Sequence, residues 1–363
     1  MSTMFETLKR INILERITNQ DVKGFSDMRK FLILCILFAV LCLAAAIAMV
    51  LGAYNISFVD VYATIIANLS PFQDASSINK LHNTIIWNIR LPRVLLAIIV
   101  GAALATSGAV FQGCFRNPLV EPYILGVSSG AAFGAALGIV YPHIFHSIQI
   151  SAFVFASLAV MAAYTLARTR GQTPIITLIL GGVIIGSIFS ALVSLLKYTA
   201  NDSSLREIVF WLMGGFYYAT WNDIVVTVTI VGLPFLVLWM YGWKLNILSM
   251  GDEEARALGI NPEKSKMIVV ALATLVTAVA VSTVGIIAWV GLMMPHATRM
   301  ILGPDHRFVI PSAAMLGGIY LIICDTLART LTTSEIPVGI ITSIVGAPYL
   351  CYLLRNKGRS LLG

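Results

Sequence analysis

Long runs of apolar residues, separated by short polar segments, dominate the chain from residue 31 onward. Within each run the apolar positions are continuous and do not alternate with polar ones. Lipid cannot hydrogen-bond the backbone, so only helices or closed barrels satisfy it inside a bilayer, and continuous runs favour helices. The pattern therefore predicts an all-α integral membrane protein.

The lengths of the runs predict about ten transmembrane helices. Residues 94–115 reach about 33 Å at about 1.5 Å per residue, enough to cross a hydrocarbon core of about 30 Å. The uncharged stretch between Lys266 and Arg299 exceeds one crossing, and Gly285 marks a turn that divides it. Residues 141–143, Tyr-Pro-His, are a second turn signal. The predicted spans are 31–52, 94–114, 123–141, 148–167, 174–196, 224–243, 267–283, 285–301, 308–327 and 337–354.

Composition favours a membrane protein over a soluble one. Hydrophobic residues make up 58% of the chain and charged residues 11%, whereas soluble domains carry about 25% charge. The net charge of +7 comes from short basic clusters between the apolar runs, and no basic face or nucleic-acid motif accompanies it. The five cysteines are scattered through apolar segments without metal-ligand spacing, which favours free thiols and predicts no metal site.

The distribution of basic residues predicts the orientation in the cytoplasmic membrane. If the N-terminus is inside, about three-quarters of the 24 lysines and arginines fall in cytoplasmic segments, as the positive-inside rule requires. We expect a cytoplasmic N-terminal segment at residues 1–30, a transmembrane domain at 31–356 and a cytoplasmic tail at 357–363. Both termini of this multi-pass protein are then cytoplasmic.

The polar segment 246–266 is patterned for two short cytoplasmic helices. Asp252 is placed to cap the first helix, two glutamates follow it in the first turn, and Gly259 is placed to end it. Asn261 followed by Pro262 is a cap and first position that begin a second helix. Two stiff helices between spans are costly to order unless something docks there. We interpret the segment as a coupling element, with an ordinary solvated loop as the alternative.

Three arginines lie on the predicted outer face, where the positive-inside rule depletes them. Arg90 and Arg93 belong to an Arg-Leu-Pro-Arg motif, and Arg329 follows the ninth span. Such a cluster can dock an acidic partner, which gives orientation and on-rate more than affinity. Anionic lipid headgroups are the alternative, and Asp325 can pair with Arg329 one helical turn away.

The chemistry that the sequence lacks narrows the function. It contains no Gly-Lys dipeptide, hence no GxxxxGK[ST] loop with which to hydrolyse ATP. A charge at mid-bilayer costs about 2.5–3.5 kcal/mol, so retained charges usually serve as relays; Asp325 is the only acidic residue within a predicted span. This scarcity disfavours an ion-coupled secondary transporter, which stays open as the alternative. We find no catalytic residues for a membrane enzyme, and a scaffold without transport does not explain the coupling segment.

Five motifs in order carry a family resemblance. They are RLPRVLLAIIVGAALATSGAVFQGCFRNPLVEPYILGVSSGAAFG at 90–134, WLMGGF at 211–216, GDEEARALGI at 251–260, GLMMPHATRMILGPDHR at 291–307 and EIPVGIITSIVGAPYLCYLL at 335–354. Together they resemble the FecCD-type permeases, the membrane subunits of ABC importers for iron–siderophore chelates, haem and vitamin B12. The resemblance extends from about residue 30 to the end.

The resemblance implies the type II ABC importer permease fold and alternating access. It implies a homodimer with the pathway on its two-fold axis, two separate cytoplasmic ABC ATPase subunits that bind ATP and Mg²⁺, and an extracytoplasmic substrate-binding protein. The chain itself would bind no cofactor and would not be an enzyme. The expected ligand is an iron–siderophore, cobalamin or haem, with an iron–siderophore first because it is the most frequent in the family, and an oxyanion such as molybdate stays open after these.

Site residues follow from the resemblance by position. The binding protein's acidic residues would dock on Arg90, Arg93 and Arg329. The ATPase-coupling residues would be Asp252, Glu253, Glu254, Arg256, Ala257, Leu258, Gly259, Asn261 and Pro262. The cytoplasmic gate would comprise Asn117, Pro118 and Leu119 at one turn and Thr173, Pro174 and Ile175 at another.

Overall fold

The computed structural model describes residues 27–52, 54–69, 79–168 and 172–361, whose main elements are all helices. The N-terminal segment predicted at residues 1–30 therefore lies outside the described residues as far as residue 26. In chain order the helices are α1 Asp27–Val50, α2 Phe58–Leu69, α3 Lys80–Cys114, α4 Val127–Val140, α5 Ile148–Ala167, α6 Ile175–Thr199, α7 Asp202–Met213, α8 Trp221–Met240, α9 Gly242–Leu248, α10 Asp252–Ala257, α11 Pro262–Val284, α12 Val290–Leu302, α13 His306–Thr330 and α14 Val338–Leu361.

Each of the ten predicted spans coincides with one of these helices. Seven of the described helices, namely α1, α3, α5, α6, α8, α11 and α13, are long and apolar enough to cross a membrane. The other three, α4, α12 and α14, have shorter helical or apolar stretches. The two turn predictions are confirmed, because α4 ends at Val140 and α11 ends at Val284, followed by Gly285 with a φ of 77°. An all-α membrane fold with about ten spans is thus confirmed.

Two features depart from the sequence prediction. The second predicted short helix at Asn261–Pro262 is instead the start of α11, which continues for 23 residues because nothing after its N-terminal cap interrupts the helix. Helices α2, α7 and α9 were not predicted, since they have only 12, 12 and 7 residues. Helix α14 continues as far as Leu361, into the segment predicted as the cytoplasmic tail at 357–363, and the location of that tail stays a prediction.

Helix α3 forms the centre of the bundle and packs closely through glycine. A Cβ on Gly101 would overlap the backbone carbonyl of Gly317 in α13, and a Cβ on Gly108 would overlap that of Gly291 in α12. Helices in lipid associate through such small residues, because no hydrophobic effect drives them together and close backbone approach maximises van der Waals contact. Both contacts fix α12 and α13 against α3.

Two breaks in the helices interrupt this packing. A turn and a short 3₁₀ segment, Pro122–Leu125, join α3 to α4. Residues 285–289 join α11 to α12, and the Tyr123 hydroxyl donates to the Ile287 carbonyl at 2.7 Å. The breaks therefore contact each other inside the bundle. Irregular backbone of this kind is tolerated in a membrane protein where protein surrounds it.

Candidate functional site

The coupling segment predicted at 246–266 contains one short exposed helix, α10. Its N-cap is Gly251, so the prediction that Asp252 caps it is wrong; Asp252 is the first helical residue. The Asp252 carboxylate does not accept from the backbone amides of α10, because it pairs instead with Lys266, whose Nζ lies 2.5 Å away. Helix α10 ends as predicted, with Gly259 at a φ of 78° and the Ile260 amide donating to the Ala255 carbonyl at 2.9 Å.

The surface of α10 is available to a partner. Its one buried residue is Ala255. Leu258, just after the helix, is 60% exposed beside charged neighbours. The other exposed positions of the predicted coupling set are Glu253, Glu254, Arg256, Ala257, Gly259 and Asn261. Pro262 is buried as the first residue of α11, and the Asn261 side chain caps that helix by accepting from the Lys264 amide at 3.1 Å.

The two predicted gate turns lie beside this segment. At the first turn the Asn117 side chain accepts from the Leu119 amide at 2.9 Å, Pro118 is half-buried and Leu119 is 44% exposed. At the second turn Thr173 is buried, with 3% of its surface exposed. Pro174 is exposed as the N-cap of α6, and Ile175 begins that helix.

Four charged side chains connect these parts, and three of them were not predicted as site residues. Lys266 Nζ lies 3.6 Å from Glu263 as well as 2.5 Å from Asp252. Glu263 accepts from the Thr173 backbone amide at 2.9 Å. Arg116, next to the first gate turn, lies 3.8 Å from Asp252. We call Asp252, Lys266, Glu263 and Arg116 the charge relay. The i,i+3 spacing of Glu263 and Lys266 was the only sequence signal for it.

The three predicted docking arginines lie together at the other end of α3, but they are buried. Arg90, Arg93 and Arg329 are 3%, 4% and 7% exposed. Arg90 donates to the carbonyls of Met49, Val50 and Tyr54 at 2.5–3.0 Å. Arg329 donates to those of Ala48 and Leu51 at 3.3 and 3.4 Å. The bonds to Ala48, Met49 and Val50 satisfy carbonyls at the C-terminal end of α1, which have no partner within the helix, and those to Leu51 and Tyr54 reach residues just after it.

Two carboxylates complete this arginine cluster. Asp325, 1% exposed, lies 2.8 Å from Arg93 and 3.1 Å from Arg329, so the predicted pair within one helix is present. Glu335, whose side chain is 40% exposed, lies 2.8 Å from the other side of Arg93. Three positive and two negative side chains leave a net charge of +1 in the cluster. Glu335 is its most accessible member, and the sequence did not indicate its role.

A cavity of about 810 Å³ opens near the arginine cluster. Helix α7, the loop before α8 and the end of α11 line it, and its polar lining includes Arg206, Glu207, Tyr217, Asp223 and Glu335. Asp223 is already engaged in the capping box of α8 with Thr220. Within the described residues no group of three His, Cys, Asp or Glu side chains could hold a metal ion.

A membrane-embedded helical bundle with an exposed short helix, adjoining turns and a wide cavity at its other end defines the class of a transport permease. The FecCD transport family matches residues 31–356, and the chain belongs to this family. It is therefore a permease subunit of an ABC importer, a transport component whose ATPase is a separate subunit, and the resemblance inferred from the motifs is confirmed.

Relatives with different named ligands are similar to this chain. The cobalamin import system permease protein BtuC of Halobacterium salinarum is 42% identical over 296 residues, 81% of this chain and 79% of the relative. The molybdate import system permease protein MolB of Haemophilus influenzae is 36% identical over 326 residues, 88% and 94% of the two chains. A solved inward-facing conformation of a metal-chelate type ABC transporter superposes with a TM-score of 0.79 at 35% identity, covering 89% of this chain and 98% of that one.

Proposed function

We propose that this permease imports a metal chelate or a corrinoid by alternating access, powered by two cytoplasmic ABC ATPase subunits. The observation that carries the proposal is the exposed helix α10, held by ion pairs beside both gate turns. ATP binding and hydrolysis on the partners would move α10, and α10 would move the turns. The cobalamin and metal-chelate relatives support the ligand class. The molybdate relative makes an oxyanion the second candidate.

The proposed orientation puts α10 and both termini in the cytoplasm. The basic residues support it, since the segment around α10 contains Lys244, Arg256, Lys264 and Lys266, and positive residues are retained on the cytoplasmic side. The arginine cluster and the cavity of about 810 Å³ would then face the binding protein. This orientation lets ligand enter at the cavity end and leave past the gate turns.

We propose a homodimer in which α6 faces the partner copy. Within the apolar stretch of α6 only 17% of the residues are buried in one copy. Ile176, Leu180, Val183 and Ile188 are each more than half exposed. A second copy would cover this face, and it would bring two Thr173–Ile175 turns together at the exit of one pathway.

Docking of the binding protein at the arginine cluster stays a proposal, with a condition set by the geometry. Arg93 becomes available to an acidic side chain when Glu335 leaves it, and Glu335 is exposed enough to do so. Arg90 and Arg329 are bonded to the end of α1 and reach a partner only if α1 moves. We therefore expect Arg93 to contribute the first contact.

Uptake by the reconstituted importer tests the proposed function. Proteoliposomes containing the permease, its ATPase subunits, the binding protein and internal MgATP would be supplied with cyanocobalamin, a ferric hydroxamate siderophore, haemin or molybdate. We expect accumulation of cobalamin or an iron chelate. Accumulation of molybdate alone would support the oxyanion candidate, and accumulation of none with an active ATPase would contradict the proposed ligand class.

A further inference from the structure

Lys266 is a buried lysine between the coupling helix and a gate turn. The residue is 5% exposed and lies in the second turn of α11. Its ammonium is 2.5 Å from Asp252 at the start of α10 and 3.6 Å from Glu263 in the first turn of α11. A buried charge is costly unless it is paired. Lys266 is therefore held by both carboxylates at once.

The second oxygen of Glu263 leads to one gate turn. Oε1 faces Lys266, while Oε2 accepts from the Thr173 backbone amide at 2.9 Å. Thr173 is 3% exposed and lies two residues before α6 begins. Because the bond is to backbone, a shift of Glu263 moves the turn itself rather than a rotatable side chain.

The second oxygen of Asp252 leads to the other gate turn. Oδ2 bonds to Lys266, whereas Oδ1 is buried, has no hydrogen-bond partner and faces Arg116 at 3.8 Å. Arg116 directly precedes Asn117 and has a φ of 53°, in the left-handed region that arginine rarely adopts. This contact is looser than the one to Lys266, so a small movement of α10 is enough to close or open it.

We propose that Lys266 is a positioning residue that transmits movement of α10 to the Thr173 gate turn through Glu263, while Asp252 reaches the other gate turn directly through Arg116. The inference rests on the proposed function and names the link that this function needs. Apolar packing is a weak alternative link, since α10 buries only Ala255. Charge-assisted hydrogen bonds among groups removed from water are short and directional, which suits them to transmit small displacements.

Accessibility of the gate to a thiol reagent tests the relay without knowledge of the ligand. The five native cysteines are replaced, and one cysteine is placed at Ile176, which is 74% exposed in one copy and lies at the proposed exit of the pathway between two copies. The full importer is reconstituted with its ATPase subunits. A membrane-impermeant maleimide added from the cytoplasmic side labels the cysteine with and without MgATP and vanadate. ATP hydrolysis is measured in the same vesicles.

The compared variants are Lys266→Met, which removes the charge, Lys266→Arg, which keeps it, and Lys264→Met, which removes an exposed lysine outside the relay. We expect Lys266→Met to retain at least about half of the ATPase rate and to reduce the ATP-driven change in labelling about tenfold, because Asp252 and Glu263 lose their common partner. Lys266→Arg should restore most of the change, and Lys264→Met should behave as wild type.

The outcomes separate the relay from the proposed function. An unmodified importer whose labelling never responds to ATP would contradict the proposed function itself. A normal response in Lys266→Met would overturn the relay alone. Equal losses of hydrolysis and labelling in that variant would also overturn it, since they indicate lost ATPase docking. Should Lys266→Met fail to assemble, the milder Asp252→Asn variant must still uncouple hydrolysis from labelling, and normal coupling there refutes the relay.

Discussion

The pair between Arg93 and Asp325 gives a stability prediction that the structure makes quantitative. The two side chains are 4% and 1% exposed and 2.8 Å apart. Removing one partner of a buried pair costs about 3–5 kcal/mol, because the other charge stays buried without compensation. The loss of stability in Arg93→Met should be near the lower value, since Asp325 is still paired with Arg329 at 3.1 Å. The loss of stability in Asp325→Leu should be near the upper value, since this substitution leaves two buried arginines without their shared carboxylate.

The double variant separates this pair from independent contributions. The double variant Arg93→Met with Asp325→Leu leaves fewer unpaired charges than the two single variants together. We therefore expect the double variant to lose about 2 kcal/mol or more less stability than the sum of the two single losses. Unfolding by SDS in mixed micelles, followed through the fluorescence of the six tryptophans, measures each free energy of unfolding. The reasoning would be refuted if each single variant lost less than about 1 kcal/mol of stability, as exposed ion pairs do, or if the losses of the two single variants added up to that of the double variant.

Three further changes have expected outcomes. Gly108→Ala should lower the free energy of unfolding by about 3 kcal/mol in the same assay, because its Cβ overlaps the Gly291 backbone. The control Gly232→Ala, which has no atom within 4 Å of the new Cβ, should change it by less than about 1 kcal/mol. Equal effects of the two substitutions would contradict the close contact between α3 and α12. Arg90→Met should lower the free energy of unfolding by about 3 kcal/mol and speed proteolysis at the end of α1, because three backbone carbonyls lose their hydrogen-bond donor. An unchanged rate of cleavage would show that Arg90 is not needed to hold the end of α1. Glu335→Gln should raise the binding protein's association rate several-fold at low salt only, measured by surface plasmon resonance; a rate independent of salt would exclude docking at this cluster.

The helices were predictable because their signals are local. Span lengths, the turn at Gly285 and the end of α10 at Gly259 each depend on residues within one or two turns of helix. A helix start was predicted at Asn261, but the charged residues that follow it led to the prediction of a separate short helix instead of one helix continuous with the membrane span. Charged residues are compatible with a membrane helix when they lie in its first turns outside the lipid.

The contacts within the candidate site were not predictable from the sequence, because they join distant segments. Arg93 and Glu335 are 242 positions apart, and Glu263 binds backbone 90 positions away. Backbone carbonyls at the end of α1, the main partners of Arg90, are present at every residue and leave no sequence pattern. An arginine that looked free for docking therefore proved to be buried.

The measurement that tests the central claim most directly is the energy source of uptake. Proteoliposomes containing the permease with its ATPase subunits and binding protein are compared with vesicles containing the permease alone under an imposed proton or sodium gradient. The account predicts uptake of cobalamin or a ferric siderophore only with internal MgATP and all partners, undiminished by ionophores. Uptake by the permease alone, driven by the ion gradient, would contradict it.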